Sequence, residues 1–369
     1  MIRRGEQPEE YSSGGGGVGG DVSSMVLHQS SSSSGSQALV SLTMPNLAMV
    51  PLANQRSSRL KEANYLLSGH TDKVFSVAFD SSGQTLASAS MDSHIFLWDV
   101  YGGFTNYNVL KGHKSAILEV KWLSGQTIAS ASADKTVKLW DANKGEKVRN
   151  YTGHSAVVNC LCAAKGSSTV FASGSDDRTA ALWDTRSKRP VMILHHDYQV
   201  TSMCMSSDGS HVYTGGIDNI VRRFDTRGDV SAADMELIGH RDTITGLALS
   251  PDETHLLSNS MDCSLNLWDV RPFVPSSPDG INRRVRQFVG ATHGAEKVLV
   301  RCAFSSDGRF VAAGSADRNA YVWATETGTL VYCLPGHKGS VNDVVFHPQE
   351  PIIASASTDK TIFAGELSR

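Results

Sequence analysis

The stretch SASADKTVKLWD, residues 130–141, places serines, an aspartate and a tryptophan within twelve residues, and His113 stands upstream in KGHKSAILEV. Serine, histidine and aspartate can be the nucleophile, base and orienting acid of a hydrolase. A catalytic set is needed once, in one pocket, whereas a structural set can recur. This one recurs. The segment SGHTDKVFSVAFDSSGQTLASASMDSHIFLWD, residues 68–99, carries His70, Asp92 and Trp98, and residues 130–141 belong to a second copy with His113, Asp134 and Trp140. A third has His154, Asp177 and Trp183, a fourth His196, Asp218 and Phe224, and a fifth His240, Asp262 and Trp268. The sixth is read as His293, Asp317 and Trp323, and the seventh as His337 and Asp359 with Gly365 at the tryptophan place. In every copy the aspartate precedes the aromatic position by six residues and follows the histidine by 21 to 24.

The tryptophan positions are separated by 42, 43, 41, 44, 55 and 42 residues. Runs such as KVFSVAF, TLASAS and HIFLWDV are rich in apolar and β-branched residues, and DSSGQ or SSDGR supplies turns, so each unit is expected to hold several short strands. A period of roughly 40–45 residues with Gly-His near its start and Trp-Asp near its end resembles the WD-repeat (WD40) family. That resemblance implies an all-β fold, a seven-bladed β-propeller with four strands per blade. It also implies that histidine, a strand serine or threonine, the turn aspartate and the tryptophan hydrogen-bond in series within a blade. The role falls on His70, Asp92 and Trp98; His113, Asp134 and Trp140; His154, Asp177 and Trp183; and His240, Asp262 and Trp268. These sets are expected to be structural staples, with no catalytic, cofactor-binding or metal-binding residue among them.

Departures mark weaker blades. His195 stands where glycine precedes the fourth histidine, Phe224 replaces tryptophan, Ala313 takes a strand-serine place in the sixth copy and Ala324 follows Trp323. Those blades are expected to rely on packing. The seventh copy lacks the Trp-Asp pair, so its outer strand must come from elsewhere. ANYLL, residues 63–67, is expected to complete that blade and close the ring.

Composition agrees with a large core: 369 residues, 40% hydrophobic, 19% charged, with a net charge of −3 that supplies no global basic field for nucleic acid. No apolar run approaches the roughly 20 residues of a membrane span. Residues 1–59 are expected to be a disordered Ser/Gly-rich tail and 60–369 the propeller. Gly14, Gly16 and Gly19 fit G-x-G-x-x-G, but no strand pattern precedes them and no helix pattern follows, so they read as tail. SLTMPNLAMVPLANQRSSR, residues 41–59, holds enough apolar side chains to dock. The six cysteines, Cys160, Cys162, Cys204, Cys263, Cys302 and Cys333, form no C-x-x-C pair and are expected to be reduced core thiols. The long fifth-to-sixth interval, residues 271–294 with Pro272, Pro275 and Pro278, is expected to be an exposed contact loop followed by an outer strand in VRQFVG.

Beyond the repeat, several phrases resemble one WD-repeat family, the 40-kilodalton subunits of the spliceosomal U5 small nuclear ribonucleoprotein. They are LKGH at 110–113, GGIDN at 215–219, LLSNSMD at 256–262, WDVRPF at 268–273, AAGSADR at 312–318, LPGHKGS at 334–340, and the ending FHPQEPIIASASTDKTIFAGEL. The resemblance covers about residues 65–369. It implies a nuclear, noncatalytic scaffold in pre-mRNA splicing, bound chiefly to the largest U5 scaffold protein with its helicase and GTPase neighbours, without a cofactor. A second reading rests on WDTR, FDTR and WDVR, ending in Arg186, Arg227 and Arg271, which resemble the signature of substrate receptors of cullin-RING ubiquitin ligases. Arg283, Arg284 and Arg286 in the long interval are candidates for direct RNA contact, although no aromatic stacking platform accompanies them.

Overall fold

The computed structural model describes residues 57–167, 169–228, 232–273 and 283–367. Twenty-eight strands among them form seven four-stranded antiparallel sheets. Blade one runs from Val74 to Lys111, blade two from Ile117 to Thr152, blade three from Val158 to His195 and blade four from Val200 to Ile238. Blade five runs from Ile244 to Phe288 and blade six from Cys302 to Leu334. Blade seven takes three strands from Val341–Phe346, Ile352–Ser357 and Ile362–Glu366, and its outer strand is Asn64–Leu67. Innermost strands touch in the order one to seven and back to one, which closes the ring.

The second strand of each blade is buried on both faces, so it does not alternate apolar with polar residues. TLASAS, TIASAS and IIASAS put small Ala and Ser side chains where neighbouring blades pack closely. Seven apolar clusters result, each shared by successive blades; the junction of blades one and two, for example, holds Ala87, Ile95, Leu110, Ile117, Ile128 and Trp140. Between the second and third strands every blade makes the same tight turn. The residue after the repeat aspartate has positive φ in all seven, from Ser93 to Lys360. The aspartate holds that turn: Asp92 Oδ1 accepts from the His94 amide at 3.0 Å, and Asp134 does the same for Thr136 at 3.1 Å.

The closing strand pairs as the sequence implies, Asn64 opposite Gly365 and Leu67 opposite Ile362. A Cβ on Gly365 would stand 3.1 Å from the Ala63 carbonyl oxygen and would strike the Asn64 side chain, so glycine admits the returning chain. Ordered contacts begin before residue 60, where the tail was expected to end. Ser57 and Ser58 bond Glu366, Arg59 bonds Glu350, and Leu60 is buried, because blade seven offers two carboxylates facing these donors. The tail itself, with its glycine motif and the apolar residues 41–56, lies outside the described residues.

Two further expectations change. Cys160, Cys162, Cys204 and Cys302 are buried, but Cys263 and Cys333 are exposed. Cys263 occupies the positive-φ turn position and Cys333 lies on an outer strand, where apolar flanking sequence does not imply burial. In the sixth copy, Gly290 follows Phe288 as Gly112 follows Leu110, so Ala291, and not His293, stands at the histidine place. The long interval confuses the spacing. It does deliver an outer strand, Arg284–Phe288, and Phe273 before it is 94% exposed. Pro275 and Pro278 lie outside the described residues.

Candidate interaction surfaces and the repeated polar relay

The repeated residues meet in space as one directional chain. In blade two the Trp140 indole N–H donates to Ser130 Oγ at 2.8 Å, and Ser130 Oγ lies 2.7 Å from His113 Nε2. His113 Nδ1 is 2.8 Å from Asp134 Oδ2, which also accepts the Lys114 amide at 3.0 Å. An indole can only donate. The hydroxyl accepts from it and lies between the indole and Nε2, while Nδ1 faces the carboxylate. Blade one repeats the chain with Trp98, Ser88, His70 and Asp92 at 2.9, 2.8 and 2.8 Å. Blade three uses Trp183, Ser173, His154 and Asp177 at 2.7, 2.8 and 2.9 Å. Blade five uses Trp268, Ser258, His240 and Asp262 at 2.7, 2.6 and 3.1 Å.

Electrostatics follow from burial. Burial raises the cost of charging Asp92, but hydrogen bonds and the His70 ring outweigh it and hold the carboxyl at about 2. Against the same opposing burial, His113 and Thr136 bring Asp134 well below the carboxylate range, and His240 and Ser264 do so for Asp262. Burial pulls the His113 ring below its ordinary value despite Asp134. In these four blades each serine hydroxyl is buried between indole and imidazole, away from solvent.

The irregular blades break the chain in different places. Blade seven keeps His337 with Asp359 at 3.0 Å and Ser355 at 2.9 Å, and Phe363 meets the ring edge-on at 4.7 Å. In blade four the aspartate turns away: Asp218 binds Arg222, and the buried His196 Nε2 has no hydrogen-bond partner among the described residues. Burial, then the nearby Arg222 charge, lowers that histidine to about 4. In blade six Ala291 and Ala313 stand at the histidine and serine places. Trp323 donates to the Val289 carbonyl at 3.3 Å, and Asp317 accepts from Tyr321.

The candidate arginines are also engaged within the chain. Arg186 forks Asp184 of its own motif, with Nε 2.9 Å from Oδ1. Arg271 does the same with Asp269 at 3.0 Å, and Arg227 lies 3.6 Å from Asp225. Arg186 and Arg227 remain 78% and 67% exposed. Arg283 donates to the Arg271 carbonyl at 2.8 Å and Arg286 to the Thr327 carbonyl at 2.7 Å. Arg284 pairs with Trp268 across the outer ladder.

Sequence spacing gave no hint of the ties along the axial channel. Glu119 of blade two accepts the Leu161 amide of blade three at 2.7 Å, Asn159 of blade three donates to the Val200 carbonyl of blade four at 3.0 Å, and Asn259 of blade five reaches Val300 at 3.1 Å. Asp343 of blade seven accepts the Val77 amide of blade one at 3.0 Å. Arg301 crosses from blade six to the Asn159 carbonyl at 2.7 Å and to Glu119 at 3.4 Å. A signal existed: charged residues in otherwise apolar inner strands. Burial pushes the Cys160, Cys162 and Cys204 thiols well above their usual range and Cys302 to about 12, so these cysteines stay protonated. At one mouth of the channel a cavity of about 520 Å³ is lined by Phe75, Met91, Leu118, Val298 and Leu299, with Lys73 paired to Glu296 at 3.3 Å on its rim.

These seven sheets and their relay define a class, the WD-repeat β-propellers. The WD domain, G-beta repeat family matches seven segments, 61–99, 104–141, 145–184, 188–225, 234–269, 285–324 and 328–363. The U5 small nuclear ribonucleoprotein 40 kDa protein of Dictyostelium discoideum is 47% identical over 317 residues, covering 86% of this chain and 88% of its own length. The protein of that name from Homo sapiens is 43% identical, covering 87% and 88%. Pre-mRNA-splicing factor cwf17 of Schizosaccharomyces pombe is 43% identical, covering 85% and 90%. Within the WD-repeat propellers, the chain belongs to the family of these 40 kDa U5 proteins.

Proposed function

We propose that the protein is a noncatalytic interaction scaffold of the U5 small nuclear ribonucleoprotein, acting in pre-mRNA splicing in the nucleus. The observation that carries this reading is similarity along the whole propeller, 43–47% over 85–87% of the chain, to proteins named for that particle and process. Geometry supports the noncatalytic part: in blades one, two, three and five the Ser-His-Asp residues face one another as blade staples, and each buried hydroxyl accepts an indole N–H. The two faces and the rim of a propeller give ample area for partners at about 800 Å² each. On this reading the principal partner is the largest U5 scaffold protein, beside its helicase and GTPase neighbours. Arg283 holds the Asp269 and Arg271 carbonyls and Arg286 the Thr327 carbonyl of blade six; RNA contact is not assigned to them.

The test is affinity purification of the tagged full chain from nuclear extract, with identification of both RNA and protein. U5 RNA and U5 proteins are the expected recovery. Recovery of a cullin adaptor with no spliceosomal RNA would overturn the reading and favour the ligase-receptor alternative. In that alternative the exposed Arg186 and Arg227 would have to leave Asp184 and Asp225 for the adaptor.

A further inference from the structure

At the first of the described residues, one carboxylate holds two serines. Glu366 Oε1 accepts the Ser57 amide at 2.6 Å and the Ser57 hydroxyl, while Oε2 accepts the Ser58 hydroxyl at 2.8 Å. The next residue is fixed by a second carboxylate. Glu350 Oε2 accepts the Arg59 amide at 2.9 Å and Oε1 lies against Arg59 Nε. Arg59 also donates to the Tyr101 hydroxyl at 2.8 Å and lies 4.3 Å over that ring, and Tyr101 donates to Glu350 at 2.9 Å. Ser57 and Ser58 thereby hold to blade seven and Arg59 joins blade seven to blade one, immediately before the strand that closes the propeller. The Glu366 amide donates to the Ala63 carbonyl at 2.9 Å, so this carboxylate sits on the first rung of the closing ladder.

We propose that Ser57 and Ser58 are a phosphorylation site that releases this clamp. The hydroxyls suit the modification by position: Ser57 is exposed, Ser58 is half-buried, and the sequence reads Arg56-Ser57-Ser58-Arg59. A kinase that selects serine beside arginine has basic residues on both sides of the pair. The serine oxygen attacks the γ-phosphorus of a nucleoside triphosphate, a new O–P bond forms, the bond to the bridging oxygen breaks, the nucleoside diphosphate leaves and the hydroxyl proton is lost. A donor to Glu366 becomes a group carrying nearly two negative charges beside it. Attraction turns to repulsion at a contact now made at hydrogen-bond distance. Arg59 offers no neutral escape, because a guanidinium drawn to the phosphate abandons Glu350 and Tyr101 and opens the second half of the clamp.

The consequence is local. Residues 57–63 detach and the closing strand frays from its first rung, whereas blades two to five keep their staples. The experiment uses the full chain, phosphorylated with ATP by an arginine-directed serine kinase, with the modified residues located by mass spectrometry and amide exchange followed by peptide. Exchange in Leu60–Leu67 should rise about tenfold, the scale expected for a dianion facing a carboxylate across a few ångströms of water. Peptides from blades two to five should not change. In Glu366→Gln the same modification should raise exchange much less, since the facing charge is gone, and S57A/S58A should take up no phosphate in this segment. Unchanged or increased protection on phosphorylation would overturn the proposal. So would an equal rise in Glu366→Gln, or absence of phosphate at both serines.

Discussion

The relay in blade three supports a quantitative test through Ser173→Ala. Ser173 Oγ is the only atom joining the Trp183 indole N–H, at 2.7 Å, to His154 Nε2, at 2.8 Å, and all three side chains are buried. Removing the hydroxyl leaves a buried donor and a buried acceptor without their partner. Each such loss costs about 1–3 kcal/mol, so the pair should cost about 2–6 kcal/mol, while the oxygen itself leaves little empty volume. His154→Ala alone should cost about 1–3 kcal/mol, because Thr179 and the Ser155 amide still satisfy Asp177. The double variant should cost less than the sum by about 0.5–3 kcal/mol, since the acceptor orphaned by the first change is absent after the second. Blade six, with Ala291 and Ala313 at these two places, shows the paired loss tolerated within the fold. The assay is equilibrium urea unfolding, followed by tryptophan fluorescence and circular dichroism on the four proteins. A Ser173→Ala protein within 0.5 kcal/mol of the parent, or strict additivity of the two changes, would refute the relay.

Truncation separates tail from ring: removing residues 1–56 should leave the thermal transition nearly unchanged, and removing 1–67 should lower it clearly, with equal melting of the two speaking against closure by Asn64–Leu67. His196 gives a pH signature. Its proton affinity is lower folded, about 4, than unfolded, about 6.5, so its stabilising effect is complete above pH 6.5 and is lost as pH falls toward 4, by about 3 kcal/mol. His196→Asn should flatten that part of the stability profile, and an unaltered slope would contradict the burial argument. Arg301→Met leaves Glu119 buried with the more exposed Lys121 as its remaining cation at 3.0 Å, and should destabilise by about 3 kcal/mol; a neutral result would show that the cross-channel tie contributes nothing. Replacing residues 274–282 by a short Gly/Ser turn should preserve the β-rich circular dichroism spectrum and weaken co-purification with U5 proteins; full recovery by the folded variant would remove the loop from the contact surface.

Much of the fold was legible because its marks are strictly periodic. A relay that needs His, Ser, Asp and Trp at fixed ladder positions writes those letters at fixed intervals, and the closing strand could be inferred from what the seventh copy lacked. Legibility failed where spacing stopped being informative. His293 lies near the histidine interval, but the insert before it shifts the count, and only the ladder from Leu265 and Phe288 onward places Ala291 correctly. Cys263 looked apolar by its neighbours, yet it sits on a turn whose positive φ is set by the preceding aspartate. The contacts of Ser57–Arg59 with Glu366 and Glu350 link positions some 300 residues apart with no repeat to announce them. Arg301 and Glu119 are likewise joined by the ring and not by the repeat.

Sharing the seventh blade between Asn64–Leu67 and strands some 300 residues later also sets a timetable for synthesis. Asn64–Leu67 leaves the ribosome early, but its partner strand ending at Glu366 is made roughly 300 residues later, about 15–60 s at ordinary elongation rates. Through that interval six blades can assemble in order while the first-made strand has nothing to pair with. The last rungs to form are those between Asn64 and Gly365, so a truncated or stalled chain cannot close the circle. Emergence of Ile362–Glu366 is thereby built into the architecture as a condition for the finished propeller.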